Sequence, residues 1–403
     1  MRCNLLVKPF FYLSTILMLI FLYISFYNNK QIEQESDDKL ISELEKKYAE
    51  ISAEDSIPEM KYILQWTSPN NIPFKYLGKG QKVFIDRHCI YNNCFVTSDR
   101  YLLGDYTKFD VIAFAGPEIV HVSRESLPDK RSPHQKFVFA SLESPDYYPV
   151  CSDNLDNFFN WTWTYKVNSD ERWGYMVVRN ASNAVVGPNA EMHWIQWSEM
   201  DSVCDDFKAK LKTKTKAAAW FVSNCNSRSG REHFVNRLNK ELKKYDLNVD
   251  IYGRCGPLKC PRDKHKECVK MLEKDYYFYL SFENSFAEDY VTEKLLTSLN
   301  NNVVPIVFGA ANYTRFMPDG MYLNARELGP VKLAEKMNEL ILNPDLYADY
   351  FRWKNHYSYH HKSESKETDE YCRFCSMLNN KELVQEITTY PNFRQWWDPP
   401  NRC

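Results

Sequence analysis

Apolar and amphipathic segments alternate regularly after residue 216. Apolar runs at 217–223, 249–252, 276–282 and 303–308 predict buried strands. Apolar residues at helical spacing predict helices at 231–245, 268–273, 290–299 and 331–342. Because strands that alternate with helices form parallel sheets with right-handed crossovers, we expect an α/β domain over residues 217–345.

A similar but less regular pattern precedes this domain. Candidate strands lie at 62–66, 82–85, 110–114, 136–140 and 162–167, and a lysine-rich stretch at 208–216 is predicted to be a connector. The two units predict two Rossmann-like domains, 61–210 and 217–345, that face a cleft, followed by a C-terminal segment at 346–403. Ligands of such sheets bind at the carboxyl ends of the strands.

The N-terminal region predicts a membrane anchor. Residues 10–27 carry no charge and are just long enough to span a bilayer as a helix. Arg2 and Lys8 precede this run, which favours a cytosolic tail at 1–9. A cleaved signal peptide is the alternative, although the run ends without the small residues that cleavage needs. Residues 28–60 would form a polar stem, either a solvated spacer or a short self-associating helix.

Sequons and cysteines fit a lumenal location for the rest of the chain. N-glycosylation sequons begin at Asn160, Asn180 and Asn312. Eleven of the twelve cysteines follow the predicted anchor, and an oxidising lumen favours disulfides between them. Because eleven is odd, one cysteine would be free or would pair with another subunit. Cys403, at the chain end, is our candidate for a link within a homodimer.

Composition and missing motifs exclude several classes of function. The formal charge of −2 argues against a nucleic-acid partner. The sequence holds no G-x-x-x-x-G-K-[ST] phosphate loop, which argues against a sulfotransferase. It also holds no Asp-x-Asp motif, so we expect no dedicated metal site. The spacing of Cys372 and Cys375, with Cys89 and Cys94, leaves a four-sulfur zinc site as the alternative to disulfides.

The densest polar cluster follows the predicted strand 276–282. The end of this strand would deliver Glu283 and Asn284 to the cleft, and Tyr290, Glu293 and Lys294 would lie in the first turns of the next helix. A helix N-terminus and a lysine both suit a phosphate group. The alternative interpretation is an ordinary capped helix on the protein surface.

This cluster resembles a signature of the α-1,3-fucosyltransferases, glycosyltransferase family 10. The resemblance covers about residues 60–380 and includes several motifs in the order of that family. The motifs are VTSDR at 96–100, LESP at 142–145, WFVSN at 220–224, YG at 252–253, FYLSFENS at 278–285, DYVTEK at 289–294, VPIV at 304–307 and the pair Cys372/Cys375.

The resemblance implies a GT-B fold and inverting transfer of L-fucose from GDP-β-L-fucose in α-1,3 linkage to GlcNAc. Glu143 would be the general base, and Arg231 and Lys294 would bind the diphosphate, with Arg228 as the alternative to Arg231. No cofactor would be required, although Mn²⁺ could stimulate the reaction. The other donor-binding candidates are Ser223, Asn224, Asn284, Tyr290 and Glu293, with Tyr252 and Tyr165 as weaker candidates for the nucleoside.

The resemblance also implies an acceptor, a location and cross-links. Disulfides would join the Cys89/Cys94 region to the Cys372/Cys375 region and return the C-terminal segment to the first domain. The anchor and stem fit a single-pass type II protein of the Golgi membrane. The central cysteines at 225, 255, 260 and 268 resemble the invertebrate and plant branch, which fucosylates the Asn-linked core GlcNAc of N-glycans. Lewis-type fucosylation of lactosamine antennae, or a catalytically silent glycan-binding relative, is the alternative.

Overall fold

Two parallel sheets and one small antiparallel sheet contain the strands of the computed structural model, which describes residues 58–120, 122–399 and 402–403. The strands in chain order are β1 Lys61–Gln65, β2 Cys94–Thr97, β3 Val111–Ala115, β4 Lys136–Ser141, β5 Trp161–Thr164, β6 Glu171–Arg172, β7 Met176–Asn180, β8 Val185–Gly187, β9 Lys216–Phe221, β10 Val249–Tyr252, β11 Tyr276–Phe282, β12 Val304–Phe308, β13 Leu323–Asn324 and β14 Tyr357–His361.

The α-helices connect these strands or follow them. They are α1 Phe74–Leu77, α2 Lys82–Asp86, α3 Gly116–Ile119, α4 Asp205–Leu211, α5 Arg231–Leu242, α6 His265–Asp275, α7 Glu293–Leu299, α8 Ala325–Leu342, α9 Pro344–Asp349, α10 Glu370–Asn379, α11 Lys381–Gln385 and α12 Phe393–Trp397.

Both large sheets have the same doubly wound strand order. The first is β2-β1-β3-β4-β5-β6 and the second is β10-β9-β11-β12-β13, with every pair parallel. The strand order reverses beside β1 in the first sheet and beside β9 in the second. Because ligands of open α/β sheets bind at this reversal, at the carboxyl ends of the strands, the ends of β9 and β11 are the expected site. The antiparallel sheet has the order β14-β7-β8.

The pattern of buried residues explains why the second sheet and its helices were easier to predict than the first. Strand β11 is buried along almost its whole length, as is typical of a strand covered on both faces of a parallel sheet. Helix α5 buries Phe234, Val235, Leu238 and Leu242 on one face against this sheet. The predicted α/β class and parallel sheets are confirmed.

Three local predictions were wrong. Residues 82–85, predicted as a strand, form helix α2, since an apolar run this short does not distinguish a helical turn from a strand. The predicted connector at 208–216 instead contains the end of α4, which buries Phe207 and Leu211 at helical spacing. The helix predicted from residue 290 begins only at Glu293, because Asp289 adopts a left-handed φ of 57° in the preceding turn.

The C-terminal segment lies mainly against the first sheet. Strand β14 pairs with β7, and α10 packs in the same core as β4 and β5. The rings of Phe393 and Trp397 in α12 each lie 4.8 Å from that of Phe139. No helix among the described residues is long and apolar enough to cross a membrane. The predicted tail, anchor and nearly all of the stem fall outside those residues.

Within the part of the chain that the structure describes, ten cysteines pair in five disulfides. Cys89–Cys372 and Cys94–Cys375 confirm that disulfides join these two regions, as the resemblance implied, and exclude the zinc alternative for these four sulfurs. Cys403 pairs with Cys151, so the predicted intersubunit link through Cys403 is wrong. The remaining two disulfides are Cys225–Cys255 and Cys260–Cys268.

The disulfides Cys89–Cys372 and Cys94–Cys375 should stabilise the fold non-additively. Each closes a loop of more than 280 residues, but either one alone already holds the two regions together. We expect replacement of both cysteines of one pair by alanine to lower the free energy of unfolding by about 2–3 kcal/mol, and removal of the second pair to cost about 5 kcal/mol more. Urea unfolding under oxidising conditions measures both losses, and equal, additive losses would contradict the expectation.

The three sequons differ in environment. Asn160 is only 7% exposed, donates from Nδ2 to the Thr388 carbonyl at 2.7 Å and accepts from the Phe137 N–H at 2.8 Å. A glycan on that nitrogen would be incompatible with these contacts. Asn312 is exposed and Asn180 is half-buried at a turn, so they are the two sequons compatible with modification in this fold.

Candidate active site

A cavity of about 440 Å³ opens at the carboxyl ends of β9 and β11, where the strand order reverses. Glu143, which follows β4 of the first sheet, also lines it. The cavity therefore lies between residues of both halves of the chain. Its walls contain most of the predicted site residues, namely Glu143, Ser223, Asn224, Arg231, Tyr252, Asn284, Tyr290, Glu293 and Lys294.

Arg231 lies at the first position of α5, immediately after Gly230, which adopts a φ of 64°. Its side chain is 4% exposed and donates to the carbonyls of Phe282 at 2.6 Å and Asn224 at 3.2 Å. These bonds hold the guanidinium at the junction of β9 and β11, beside the helix N-terminus. Arg228, the alternative, is exposed, stacks over the Tyr147 ring and does not line the cavity.

Lys294 is the second cation of the cavity. Its Nζ lies 3.1 Å from carboxylate oxygens of both Glu283 and Glu293 and donates to Thr292 Oγ1 at 2.6 Å. The lysine side chain is 20% exposed, whereas that of Glu283 is 2% exposed. A ligand can therefore reach the ammonium from the cavity while a buried carboxylate holds it from behind.

The charges of this cluster depend on one another. Burial raises the pKa of the Glu283 carboxyl, and the nearby Lys294 opposes that shift. Burial alone would lower the pKa of Lys294, but the carboxylates of Glu283 and Glu293 outweigh it and raise that pKa. Lys294 therefore keeps its positive charge in the cavity, as binding of a phosphate group requires.

Glu143, on the loop that follows β4, lines the same cavity as these cations. Its Oε2 accepts a hydrogen bond from the Tyr290 hydroxyl at 3.0 Å. The Tyr175 hydroxyl donates to the carbonyl of the preceding Leu142 at 2.8 Å and thereby holds the backbone beside Glu143. The carboxylate is half-buried and available to a hydroxyl group that enters the cavity.

The loop that carries Glu143 is bonded to the second half of the chain. The hydroxyls of Ser144 and Ser285 lie 2.6 Å apart and are buried, and Asp146 accepts from the Phe286 N–H at 3.1 Å. Asn224 also donates to the Tyr147 hydroxyl at 3.2 Å. These contacts hold the Glu143 loop against the half of the chain that carries Arg231 and Lys294.

The other wall of the cavity follows β9 and β10. A side chain at Gly253 would place its Cβ only 2.4 Å from the Val222 carbonyl, so glycine is required where these two loops approach each other. Tyr252 is buried, and its hydroxyl lies 2.7 Å from that of Tyr276. The ring of Tyr252 therefore forms part of a fixed apolar surface beside Gly253.

Two placements differ from the sequence analysis. Tyr165 does not line the cavity; it is 1% exposed and packs edge-on behind the Tyr290 ring. Tyr175 lines the cavity but was not predicted, because no local motif marks it. Among the residues that the structure describes, no group of three or more His, Cys, Asp or Glu side chains could hold a metal ion.

Two family models match the chain. "Fucosyltransferase, N-terminal" matches residues 58–176, and "Glycosyltransferase family 10 (fucosyltransferase) C-term" matches residues 211–396. The first model covers Glu143, and the second covers both cations of the cavity. Together they span most of the described chain.

Curated relatives agree with the family models. Alpha-(1,3)-fucosyltransferase C of Drosophila melanogaster is 36% identical over 351 residues, which are 85% of this chain and 78% of that protein. Glycoprotein 3-alpha-L-fucosyltransferase A of the same organism is 32% identical over 332 residues, 81% of this chain and 58% of that protein. The alpha-(1,3)-fucosyltransferase fut-1 of Caenorhabditis elegans is 31% identical over 288 residues, 69% of this chain and 60% of that protein.

A solved structure entitled an alpha1,3-fucosyltransferase with GDP-fucose covers 84% of this chain and 94% of its own, at a TM-score of 0.49 and 15% identity. The sequence matches alone are sufficient for assignment, because both family models and a relative at 36% identity extend over the two halves of the cavity. The chain belongs to glycosyltransferase family 10, the α-1,3-fucosyltransferases.

Proposed function

We propose that the chain transfers L-fucose from GDP-β-L-fucose, with inversion, to O3 of the Asn-linked core GlcNAc of glycoprotein N-glycans. One observation carries this proposal. A carboxylate from the first half of the chain, Glu143, and two cations from the second half, Arg231 and Lys294, line a single cavity. Inverting transfer needs both kinds of group, because a base acts on the acceptor hydroxyl while the departing diphosphate is stabilised on the opposite face of the sugar.

In the proposed reaction the carboxylate and the cations have separate roles. Glu143 removes the proton of the acceptor hydroxyl as the oxygen attacks the anomeric carbon of fucose. The bond from that carbon to the β-phosphate oxygen breaks, and GDP leaves with the electron pair. Arg231, Lys294 and the N-terminal N–H groups of α5 stabilise the charge on the diphosphate. We propose that these groups act without a required metal, and that Mn²⁺ is at most stimulatory.

The central cysteines and one relative favour the core acceptor. Cys225–Cys255 joins the loops that follow β9 and β10, and Cys260, which lines the cavity, pairs with Cys268. These four cysteines resemble those of the invertebrate and plant branch, which modifies the N-glycan core. The relative named glycoprotein 3-alpha-L-fucosyltransferase A is consistent with an acceptor on a glycoprotein.

The five disulfides also support a location in the secretory pathway, since such bonds persist in oxidising compartments. We propose that residues 10–27 anchor the chain in the Golgi membrane with its catalytic part in the lumen. A fusion of this chain to a fluorescent protein would test the location by its overlap with a Golgi marker.

An acceptor panel tests the choice between core and antenna. The purified full chain is incubated with GDP-fucose and either an Asn-linked core N-glycopeptide or an N-acetyllactosamine oligosaccharide. We expect kcat/KM to be at least about tenfold higher for the core glycopeptide. The wrong acceptor would leave buried polar groups of the site without a hydrogen-bond partner, and each such group costs about 1–3 kcal/mol. Preference for lactosamine would instead assign the chain to Lewis-type fucosylation.

A further inference from the structure

The hydrogen bond between Tyr290 and Glu143 joins the two halves of the chain at the catalytic carboxylate. Tyr290 lies in the turn before α7, and Glu143 follows β4, 147 residues earlier. The tyrosine is 2% exposed, yet its hydroxyl reaches the cavity and donates to Glu143 Oε2 at 3.0 Å. A donor that is already bonded to the carboxylate is poorly placed to serve mainly as a contact for the nucleotide.

The surroundings of Tyr290 hold its ring rigidly. The Tyr165 ring packs against it edge-on at 5.0 Å and itself contacts Trp397. The neighbouring Asp289 accepts from the Val167 N–H at 3.2 Å and pairs with Arg315 at 2.7 Å. These contacts fix the turn between the two sheets, so the position of the Tyr290 hydroxyl is set before any substrate binds.

The bond leaves one carboxylate oxygen for chemistry. Among the described residues, Glu143 Oε1 has no hydrogen-bond partner, whereas Oε2 is bonded to Tyr290. The other ionisable groups near Glu143 are Tyr148 and Tyr175, and Arg231, Glu293 and Lys294 line the same cavity. Burial raises the pKa of Tyr290 well above that of a free tyrosine, so its hydroxyl remains a donor at neutral pH.

We propose that Tyr290 is a positioning residue of the transfer reaction, which orients the Glu143 carboxylate so that Oε1 meets the acceptor hydroxyl. This proposal rests on the proposed function, in which Glu143 is the base. The family resemblance implied that Tyr290 binds the donor. The proposal instead assigns Tyr290 to the orientation of the base. It also makes the orientation of the base depend on the same turn that delivers Glu293 and Lys294.

The test is Tyr290→Phe, which removes the hydroxyl and keeps the ring. We expect kcat to fall about 10–100-fold while KM for GDP-fucose and Kd for GDP stay within about threefold. Tyr313→Phe is the matched control: it removes another buried hydroxyl, one without a partner among the described residues, and should change none of these values.

A double-mutant cycle with Glu143→Gln separates this proposal from the proposed function. If Tyr290 acts through Glu143, Tyr290→Phe should lower the residual rate of Glu143→Gln less than twofold. An equal fold-loss in both backgrounds, or a raised KM for GDP-fucose with unchanged kcat, would each overturn the positioning role. If the wild-type chain transfers no fucose, the proposed function itself fails, and this is seen before any variant is compared.

Discussion

Replacing Glu143 by glutamine is expected to lower kcat for fucosyl transfer by about 10²–10⁴-fold, the usual contribution of a general base. Glutamine keeps the size of the side chain and can still accept from the Tyr290 hydroxyl, but it cannot take a proton from the acceptor. Because we assign the diphosphate to Arg231 and Lys294 and not to Glu143, GDP should bind almost as well as to the wild type.

Two measurements on the same variant check this expectation. Steady-state release of GDP gives kcat, and calorimetric titration with GDP gives Kd. Glu125→Gln, an exposed residue outside the cavity, is the matched control and should keep full activity. Transfer by Glu143→Gln at the wild-type rate would remove Glu143 from the role of base.

Replacing Lys294 by methionine is expected to weaken binding of GDP by about 10–100-fold, since a charge-assisted bond to phosphate is worth about 1.5–3 kcal/mol. The same variant leaves the buried carboxylate of Glu283 without its ammonium partner. We therefore also expect the free energy of unfolding to fall, because an unpaired buried charge is costly.

The double variant Lys294→Met/Glu283→Gln distinguishes the two effects. It removes the unpaired carboxylate, so most of the lost stability should return while binding of GDP stays weak. Calorimetry with GDP and thermal unfolding of both variants provide the comparison. Wild-type affinity for GDP in the single variant would show that Lys294 does not contact the diphosphate. If the double variant regained affinity for GDP together with stability, the weak binding of the single variant would be due to local unfolding.

Four of the five strands of the second sheet could be predicted from sequence, because they are continuous apolar runs between clear turns. The fifth, β13, was missed because two residues are too few to give a pattern. The first sheet was less predictable. Its segment at 82–86 is too short for a periodicity to develop, and only tertiary packing around Phe84 decides that it is helical. Cys403 could not be paired correctly either, since connectivity between many cysteines does not follow from their spacing.

The candidate site was predictable where a motif marks it. Glu283, Glu293 and Lys294 lie in one contiguous segment, and the family resemblance located Glu143. The contact between Glu143 and Tyr290 could not be predicted, because it depends on how two loops far apart in the chain pack together. Tyr175 was missed for the same reason: it stabilises the Leu142 backbone from a separate part of the chain.

We propose that fucose is transferred with inversion to O3 of GlcNAc in this cavity. Proton NMR of the reaction of the full chain with GDP-β-L-fucose and a core N-glycopeptide tests this proposal. We predict one equivalent of GDP for each α-linked fucose on O3 of the Asn-linked GlcNAc, and no such product with Glu143→Gln. A β-linked product, a linkage to another oxygen, or GDP-fucose that remains intact with every GlcNAc acceptor would contradict the account.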